Sequence, residues 1–239
     1  MRICLCFLGL QRTFCQTYAR ILSHVIDTTH SYTVVYVTWE SEPVDDLIAV
    51  LPDTRVVRIP DVKQDGPEFS AWKQNLQMHI SWRRTYEPEV ALFRYFQQIY
   101  LWNQAALYLT PFAKSFDLMV RLRTDVVYSH PLFPFYERAL QDQQPSVWFS
   151  ENPRQSIGNE GECCPDQIFF AKPNEFLHTL SILRHAHQYT VNYLETNRKW
   201  FPIDTWERNI LQAESTLFYY VKGSGFQVHF LPISIEIIR

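Results

Sequence analysis

The chain has 239 residues and a net charge of −3, and 46% of its residues are hydrophobic. This length allows one large α/β domain with a full core, and the hydrophobic content excludes a disordered chain. No run of Lys and Arg stands out, which argues against a nucleic-acid-binding protein, because such proteins present a basic patch.

Two further patterns bear on the compartment. The apolar segment 3–10 is too short to span a membrane and lacks a cleavage-site pattern, so we predict no transmembrane segment and no signal peptide. The chain has five cysteines, and Cys4 and Cys6 lie in this apolar segment. Buried, reduced thiols are typical of a reducing compartment, so we predict a cytoplasmic protein.

The N-terminal part of the chain alternates between strand and helix patterns. Apolar, β-branched segments predict strands at residues 2–8, 33–39 and 54–59. A helix is predicted from Thr13, and Pro43 suits the first turn of a short helix that ends at residue 51. Strand–helix–strand–helix–strand is the order of a Rossmann-like half of a parallel sheet. The residues that follow, 61–70, are predicted to form a polar loop.

The C-terminal part continues with longer helices and shorter strands. Helices are predicted over residues 88–109, 136–141, 173–194 and 205–222. Strands are predicted from Leu118 and over residues 147–149, 166–171 and 226–231. The aromatic stripe of the helix 88–109 is assigned to the core, and Gly223 is predicted to cap the last helix. Residues 150–165 are polar and rich in turn signals, as in an active-site loop.

These elements predict an α/β fold, a single Rossmann-like domain with a mostly parallel central sheet flanked by helices. No linker or internal repeat interrupts the chain. The tail from Ser234 is predicted to be a frayed terminus, the alternative being that Arg239 reaches back to a phosphate.

Three charged side chains end the strand that begins at Leu118. Side chains alternate along a strand, so Arg121 and Arg123 share one face, and Asp125 has the same parity. Such charges are costly to bury unless they are paired or bind something. Ligands of open α/β sheets bind beyond the carboxyl ends of the strands. The arrangement therefore suits a phosphorylated substrate, with the carboxylate available for a metal ion or for sugar hydroxyls.

Other strand ends add candidates for the same site. Gly9 permits a tight turn after the first strand, and the following helix N-terminus with Arg12 suits an anion. An ordinary turn with a surface arginine explains this pattern equally well. Thr38 and Trp39 end the second strand, where Trp39 either stacks on a base or sugar or caps the core.

Two acidic residues are candidates for acid–base chemistry. Asp166 is followed by Gln167 ahead of a predicted strand, and such a pair can hold sugar hydroxyls or accept a proton. Glu214 lies in the last predicted helix. A solvated polar pair and a solvated helical glutamate are the simpler interpretations.

In sequence order these pieces form a series. It begins with Gly-x-x-Arg after the first strand and Thr-Trp after the second, and continues with Phe-Asp-x-x-x-Arg-x-Arg-x-Asp. Asp-Gln, a Glu-bearing helix and a terminal Ile-Ile-Arg follow. The series resembles glycosyltransferases of the kind found in bacterial surface-polysaccharide clusters and in large DNA viruses. These are similar to the type-A glycosyltransferase (GT-A) fold, and the resemblance covers nearly the whole chain.

The resemblance implies an enzyme that moves a sugar from a nucleoside-diphosphate-sugar donor to a glycan or glycoconjugate acceptor. Residues 1–125 of the single domain 1–239 would form the nucleotide-binding half and residues 126–239 the acceptor-side half. The general base would be Asp166 or, second, Glu214. The donor would be bound by Gly9, Arg12, Thr38, Trp39, Arg121, Arg123 and Asp125.

The resemblance also implies a divalent cation, Mn²⁺ or Mg²⁺, on Asp125, which takes the place of the fold's Asp-x-Asp element. Arg123 stands where the second carboxylate is expected. The alternative is that Arg121 and Arg123 neutralise the diphosphate without a metal. The alternative function is a catalytically silent nucleotide- or sugar-binding module on the same fold. A metal-dependent phosphohydrolase would show more clustered Asp and His.

Overall fold

The strands and helices follow the predicted order over most of the chain. A computed structural model describes residues 1–11, 13–79, 89–150, 167–185, 217 and 220–238. Its strands are β1 (Arg2–Leu8), β2 (Ser31–Trp39), β3 (Arg55–Ile59), β4 (Leu118–Leu122), β5 (Val126–Tyr128), β6 (Ser146–Phe149), β7 (Phe169–Ala171), β8 (Gln227–Phe230) and β9 (Ile235–Ile237). Its helices include α1 (Phe14–Val25), α2 (Asp45–Val50), α3 (Pro67–His79), α4 (Glu89–Leu109), α5 (Phe133–Gln141) and α6 (Pro173–Leu180).

Seven of the described strands form one sheet in the order β3-β2-β1-β4-β7-β6-β8, and β5 pairs with β9 in a separate two-stranded sheet. Strands β3, β2, β1 and β4 are parallel, and β8 is parallel to β6. Strand β7 runs antiparallel to both of its neighbours, β4 and β6. The predicted α/β class with a mostly parallel central sheet is confirmed.

Helices cover both faces of this sheet. Leu118, Val120 and Leu122 of β4 pack on the face that is covered by α1 and α5, which we call the α1 face. Met119 packs on the opposite face against α4, which we call the α4 face. Because both faces are covered, an inner strand such as β1 is apolar along nearly its whole length. The alternation predicted for β4 is confirmed.

Helix α3 begins inside the segment that was predicted to be a loop. Pro67 is its first residue, and Phe69 and Trp72 are buried on the α4 face. Proline suits the first helical turn because the N–H that it lacks has no partner within the helix there. The prediction of a loop as far as residue 70 was wrong because the polar run ends before Pro67.

The end of the last predicted helix also differs from its prediction. Gly223 is still helical, whereas Gly225 has a φ of +80°. The Gly225 N–H donates to the Lys222 carbonyl, and the Phe226 N–H donates to the Val221 carbonyl. These two bonds define a helix end in which the residue with positive φ is Gly225, two positions later than predicted.

Two other C-terminal predictions are corrected. Helix α6 ends at Leu180 and is followed by a 3₁₀ turn, Ser181–Arg184, whereas a continuous helix to residue 194 was predicted. Residues 235–237, predicted to fray, form β9 on β5 instead. Arg239 lies outside the described residues.

Helix α4 has 21 residues, but polar side chains interrupt it. Within the described part of the chain, no helix combines the length and the apolar character that a bilayer crossing requires.

Candidate active site

A cavity of about 630 Å³ lies at the carboxyl edge of the parallel strands. Leu8 of β1, Trp39 of β2 and Arg121 of β4 line it from the sheet. The volume falls within the ~300–1,000 Å³ that is usual for small-molecule sites. Ligands of α/β sheets bind at this edge, because the loops that follow the strands meet there.

Helix α4 forms the opposite wall of the cavity. Its lining residues lie three and four positions apart, which places them on one helix face: Arg94, Gln97, Gln98, Leu101 and Trp102. The aromatic residues of this helix were predicted to lie in the core, and Phe96 and Trp102 are buried. The three polar residues were not predicted, although their helical spacing within an aromatic segment is a signal that could have identified them.

The guanidinium of Arg121 lies against aromatic rings. Arg121 is 2% exposed, and its Cζ lies 4.8 Å from the ring centroid of Trp102 and 6.0 Å from that of Phe169. The electron-rich face of an aromatic ring stabilises a cation placed over it. The rings therefore hold a fixed positive charge at the end of β4.

Arg123 and Asp125 form a two-point ion pair. The Nε of Arg123 donates to Oδ1 of Asp125, and Nη2 donates to Oδ2, both at 2.8 Å. The Asp125 side chain is 3% exposed and that of Arg123 is 19% exposed. The carboxylate thus lies beneath the guanidinium, and Arg123 is the more accessible partner. Two parallel charged hydrogen bonds also fix the plane of the guanidinium.

The loop between β1 and α1 is held by side chains from other elements. Tyr36 Oη donates to the Gly9 carbonyl at 3.0 Å, and Thr124 Oγ1 donates to the Leu10 carbonyl at 2.5 Å. Thr17 Oγ1 donates in turn to the Thr124 carbonyl at 2.6 Å. Gly9 itself has a φ of +117°, which side-chain-bearing residues rarely adopt. Glycine therefore lets the chain turn at the rim of the cavity.

The two residues predicted at the end of β2 lie on opposite faces of the sheet. Trp39 lines the cavity on the α4 face and stacks on Tyr100, with ring centroids 6.3 Å apart and planes at 16°. Thr38 has the parity of Tyr36, which packs on the α1 face. Thr38 therefore points away from the cavity, and it is not among the residues that line it.

Two residues that were not predicted complete the lining near β2 and β3. The backbone N–H and the Oγ of Ser41 donate to the Asp61 carboxylate at 3.0 and 2.6 Å. Both residues contact the cavity. Each follows a strand of the parallel set, so position after a strand end was the available signal.

Arg12, Asp166 and Glu214 lie outside the described residues, as do residues 151–165 of the predicted loop. The neighbour of Asp166 in the sequence, Gln167, is buried just before β7, whose Phe169 pairs with Arg121. Because β7 is antiparallel to β4, its start lies at the edge where β4 ends. Among the described residues, the structure thus brings Gly9, Trp39, Arg121, Arg123 and Asp125 together at one cavity.

The described residues at this cavity do not match a divalent-cation site. Both oxygens of Asp125 accept hydrogen bonds from Arg123, and both oxygens of Asp61 accept hydrogen bonds from Ser41. Across the described ranges, no three His, Cys, Asp or Glu side chains are grouped so that they could hold a metal ion. The described residues of the cavity therefore do not provide the ligand set of a divalent cation.

No protein-family model and no curated protein matches the sequence. Solved structures that match include mouse xyloside xylosyltransferase 1 in its apo form, with a TM-score of 0.48 and 10% identity over 97% of this chain and 85% of that one. Another is galactosyltransferase LgtC in complex with donor and acceptor sugar analogues, with a TM-score of 0.44 and 9% identity over 96% of this chain and 73% of that one. Both of these solved structures are glycosyltransferases.

Proposed function

We propose that this chain is a glycosyltransferase that binds a nucleoside-diphosphate-sugar in the cavity and transfers the sugar to a glycan or glycoconjugate acceptor. One observation supports this most directly: Arg121 and Arg123 line the same cavity as Gly9 and Trp39. Fixed cations suit the diphosphate of such a donor, and an aromatic side chain beside a glycine turn suits its nucleoside.

The diphosphate is assigned to Arg121 and Arg123. Guanidinium N–H groups donate to phosphate oxygens in a planar, two-point geometry. When the bond between the sugar carbon and the phosphate oxygen breaks, the nucleoside diphosphate leaves with the electron pair. Negative charge then grows on its terminal phosphate. Arginines that are already fixed in place stabilise this charge without rearranging, which lowers the barrier.

The nucleoside is assigned to the side of the cavity formed by β1 and β2. At Gly9 the absence of a side chain lets a ligand approach the loop backbone closely. Trp39 is held by its stacking on Tyr100 and offers a fixed aromatic surface. Thr38 points to the α1 face and therefore would not contact the donor.

The proton of the acceptor hydroxyl requires a base. Asp166 is our first candidate and Glu214 our second, as carboxylates suited to accept a proton. The burial of Gln167, adjacent to Asp166 in the sequence, at the edge where β4 ends supports this order. The attacking hydroxyl oxygen would form the new bond to the sugar while the base takes its proton.

We also place the reaction in the cytoplasm. Cys4 and Cys6 are free and buried, and Cys15 is free and exposed. Burial raises the pKa of Cys4 to about 12, against a small opposing effect of Arg55. Free thiols of this kind suit a reducing compartment.

Ligand binding tests the proposal. Nucleoside diphosphates of each common base, and their sugar conjugates, are added to the full chain while its thermal unfolding is followed. A ligand at 100 times its Kd should raise Tm by about 5–10 °C, because it binds only the native state. Arg121→Met should weaken binding by about 1.5–3 kcal/mol, the usual cost of losing a charged hydrogen bond.

Arg20→Met is the matched control, since Arg20 is exposed on α1, on the opposite side of the sheet from α4. It should leave the shift unchanged. The absence of a shift with every nucleotide would contradict the proposal. A shift without any release of nucleoside diphosphate from a bound nucleotide-sugar would favour the silent binding module instead.

A further inference from the structure

Both oxygens of the Asp125 carboxylate accept hydrogen bonds from Arg123. A divalent cation binds a carboxylate oxygen at about 2.0–2.6 Å. At Asp125 it would then lie within a few ångströms of a guanidinium whose nitrogens are 2.8 Å from the same oxygens. Like charges at this separation repel each other. A cation on Asp125 would therefore either lie against the Arg123 guanidinium or displace it.

Hydrogen bonds from other segments hold the backbone around Asp125 in place. The Asp125 carbonyl accepts a hydrogen bond from the Ile238 N–H at 2.8 Å. The preceding residue, Thr124, is bonded to Leu10 through its hydroxyl and to Thr17 through its carbonyl. The backbone that carries the carboxylate is thus held by three partners: Thr17 of α1, Leu10 of the β1–α1 loop and Ile238 after β9.

The charges that line the cavity favour an anion over a free cation. Among the described lining residues, the arginines at positions 94, 121 and 123 outnumber the aspartates at positions 61 and 125. The described lining thus carries a net charge of +1, which favours a diphosphate over a divalent cation that enters alone.

We infer that Asp125 is a positioning residue that holds Arg123 for the donor diphosphate, and that the donor binds without a divalent cation on Asp125. The Arg123 side chain lines the cavity and is 19% exposed, whereas that of Asp125 is 3% exposed. The ion pair can therefore fix the orientation of Arg123 while its guanidinium faces the donor phosphate. This inference rests on the proposed function, because it concerns the same donor site.

The test uses the full-length wild-type chain and the nucleoside diphosphate that gives the largest thermal shift. Its Kd is measured by calorimetry in EDTA and again with Mn²⁺ present. The two values should agree within about threefold, a difference of less than 1 kcal/mol. When Mn²⁺ is mixed with the protein in the absence of nucleotide, the electron paramagnetic resonance signal should stay that of the free ion, because Asp125 does not bind it.

Asp125→Asn tests the positioning role by the same calorimetry in EDTA. The Asn side chain keeps the size of Asp but offers Arg123 one neutral acceptor, so the guanidinium loses its fixed plane. Binding should weaken by about 10–150-fold, the usual effect of losing a charged hydrogen bond. Asp53→Asn, at an exposed position in the turn before β3, should leave Kd unchanged.

The outcomes separate this inference from the proposed function. Binding that requires Mn²⁺ and is lost in Asp125→Asn would overturn the positioning role and leave the glycosyltransferase proposal intact. Unchanged or tighter binding in Asp125→Asn would also overturn it. No binding in either condition would overturn the proposed function itself. If circular dichroism shows that Asp125→Asn does not fold, the wild-type comparison in EDTA and Mn²⁺ decides alone.

Discussion

Gly9 and Gly225 share a backbone conformation that other residues rarely adopt, with φ values of +117° and +80°. At both positions an added Cβ would meet no atom within 4 Å, so substitution costs backbone strain and no steric overlap. Gly9 lines the cavity, whereas Gly225 ends the last helix far along the chain. Comparing substitutions at the two glycines therefore distinguishes the cost of backbone strain from an effect on ligand binding at the cavity.

Gly9→Ala should lower the free energy of unfolding by about 1–3 kcal/mol because of this strain. It should also weaken nucleotide binding, since the loop that it distorts lies at the cavity rim. Gly225→Ala, the matched control, should cost about 1–2 kcal/mol and leave binding unchanged. Urea denaturation and calorimetry measure both quantities. Equal effects of the two variants on binding would contradict the assignment of Gly9 to the site.

Alternation along a strand was sufficient to predict that Arg121 lies on the face of β4 opposite Leu118, Val120 and Leu122. It could not predict that Asp125 pairs with Arg123. Residues two apart share a face in a strand, but this pair lies where β4 has already ended, at residue 122. Whether the carboxylate meets a guanidinium or a ligand depends on the turn, which is set by distant partners such as Ile238.

Strand β9 shows how a distant segment supports the site. Ile235–Ile237 pairs antiparallel with Val126–Tyr128, directly after Asp125. Ile235 and Ile237 are half-buried and Glu236 is exposed, so the segment alternates, but three residues are too few for alternation alone to indicate a strand. So short a segment is predicted to fray unless its partner strand is known. The partner, β5, lies more than a hundred positions earlier in the sequence.

Hydrogen exchange tests this pairing. The Ile238 N–H donates to the Asp125 carbonyl, and hydrogen-bonded positions alternate along an antiparallel pair. The amides of Glu236 and Ile238 should therefore exchange slowly, while those of Ile235 and Ile237, which point away from β5, should exchange fast. Amide exchange followed by nuclear magnetic resonance distinguishes them. Fast exchange at all four amides would contradict the pairing.

Across the whole molecule, the two edges of the sheet have different roles. The carboxyl edge has the charged cavity, and the amino edge has a compact polar cluster around Asp27. His30 Nδ1 lies 2.6 Å from Asp27 Oδ1, and the Thr29 hydroxyl donates to Oδ2 at 2.9 Å. Tyr32 Oη donates to Oδ1 at 3.1 Å. Burial acts to raise the pKa of Asp27, but these hydrogen bonds outweigh it and lower the pKa to about 2.

The lowered pKa predicts acid sensitivity. An unfolded aspartate has a pKa of about 3.9, so the folded carboxylate stabilises the protein above that pH, and the contribution is lost as pH falls toward 2. At neutral pH, Asp27→Asn should lower the free energy of unfolding by about 1–2 kcal/mol, after allowance for solvent screening. The difference from wild type should shrink on acidification. A constant difference across urea titrations at several pH values would contradict this.

The order of strands and helices was largely predictable because β1, β2 and β3 are bounded by turns and β1 is apolar on both faces. The antiparallel direction of β7 was not, because direction depends on how the chain crosses the sheet and not on local pattern. The wall formed by α4 was missed for a related reason. Helical spacing identifies one face for Arg94, Gln97 and Gln98, but only the packed fold shows that this face meets the strand ends.

The tie between Ile238 and Asp125 has a practical consequence for handling this protein. Ile238 is bonded to the backbone of the residue whose carboxylate pairs with Arg123, so a peptide fused to the C-terminal end would begin close to the cavity. At the other end, the Met1 carbonyl accepts a hydrogen bond from the Ser31 N–H, at the opposite edge of the sheet. Affinity tags, fluorophores and surface-immobilisation handles therefore belong ahead of Met1, at the edge of the sheet away from the cavity.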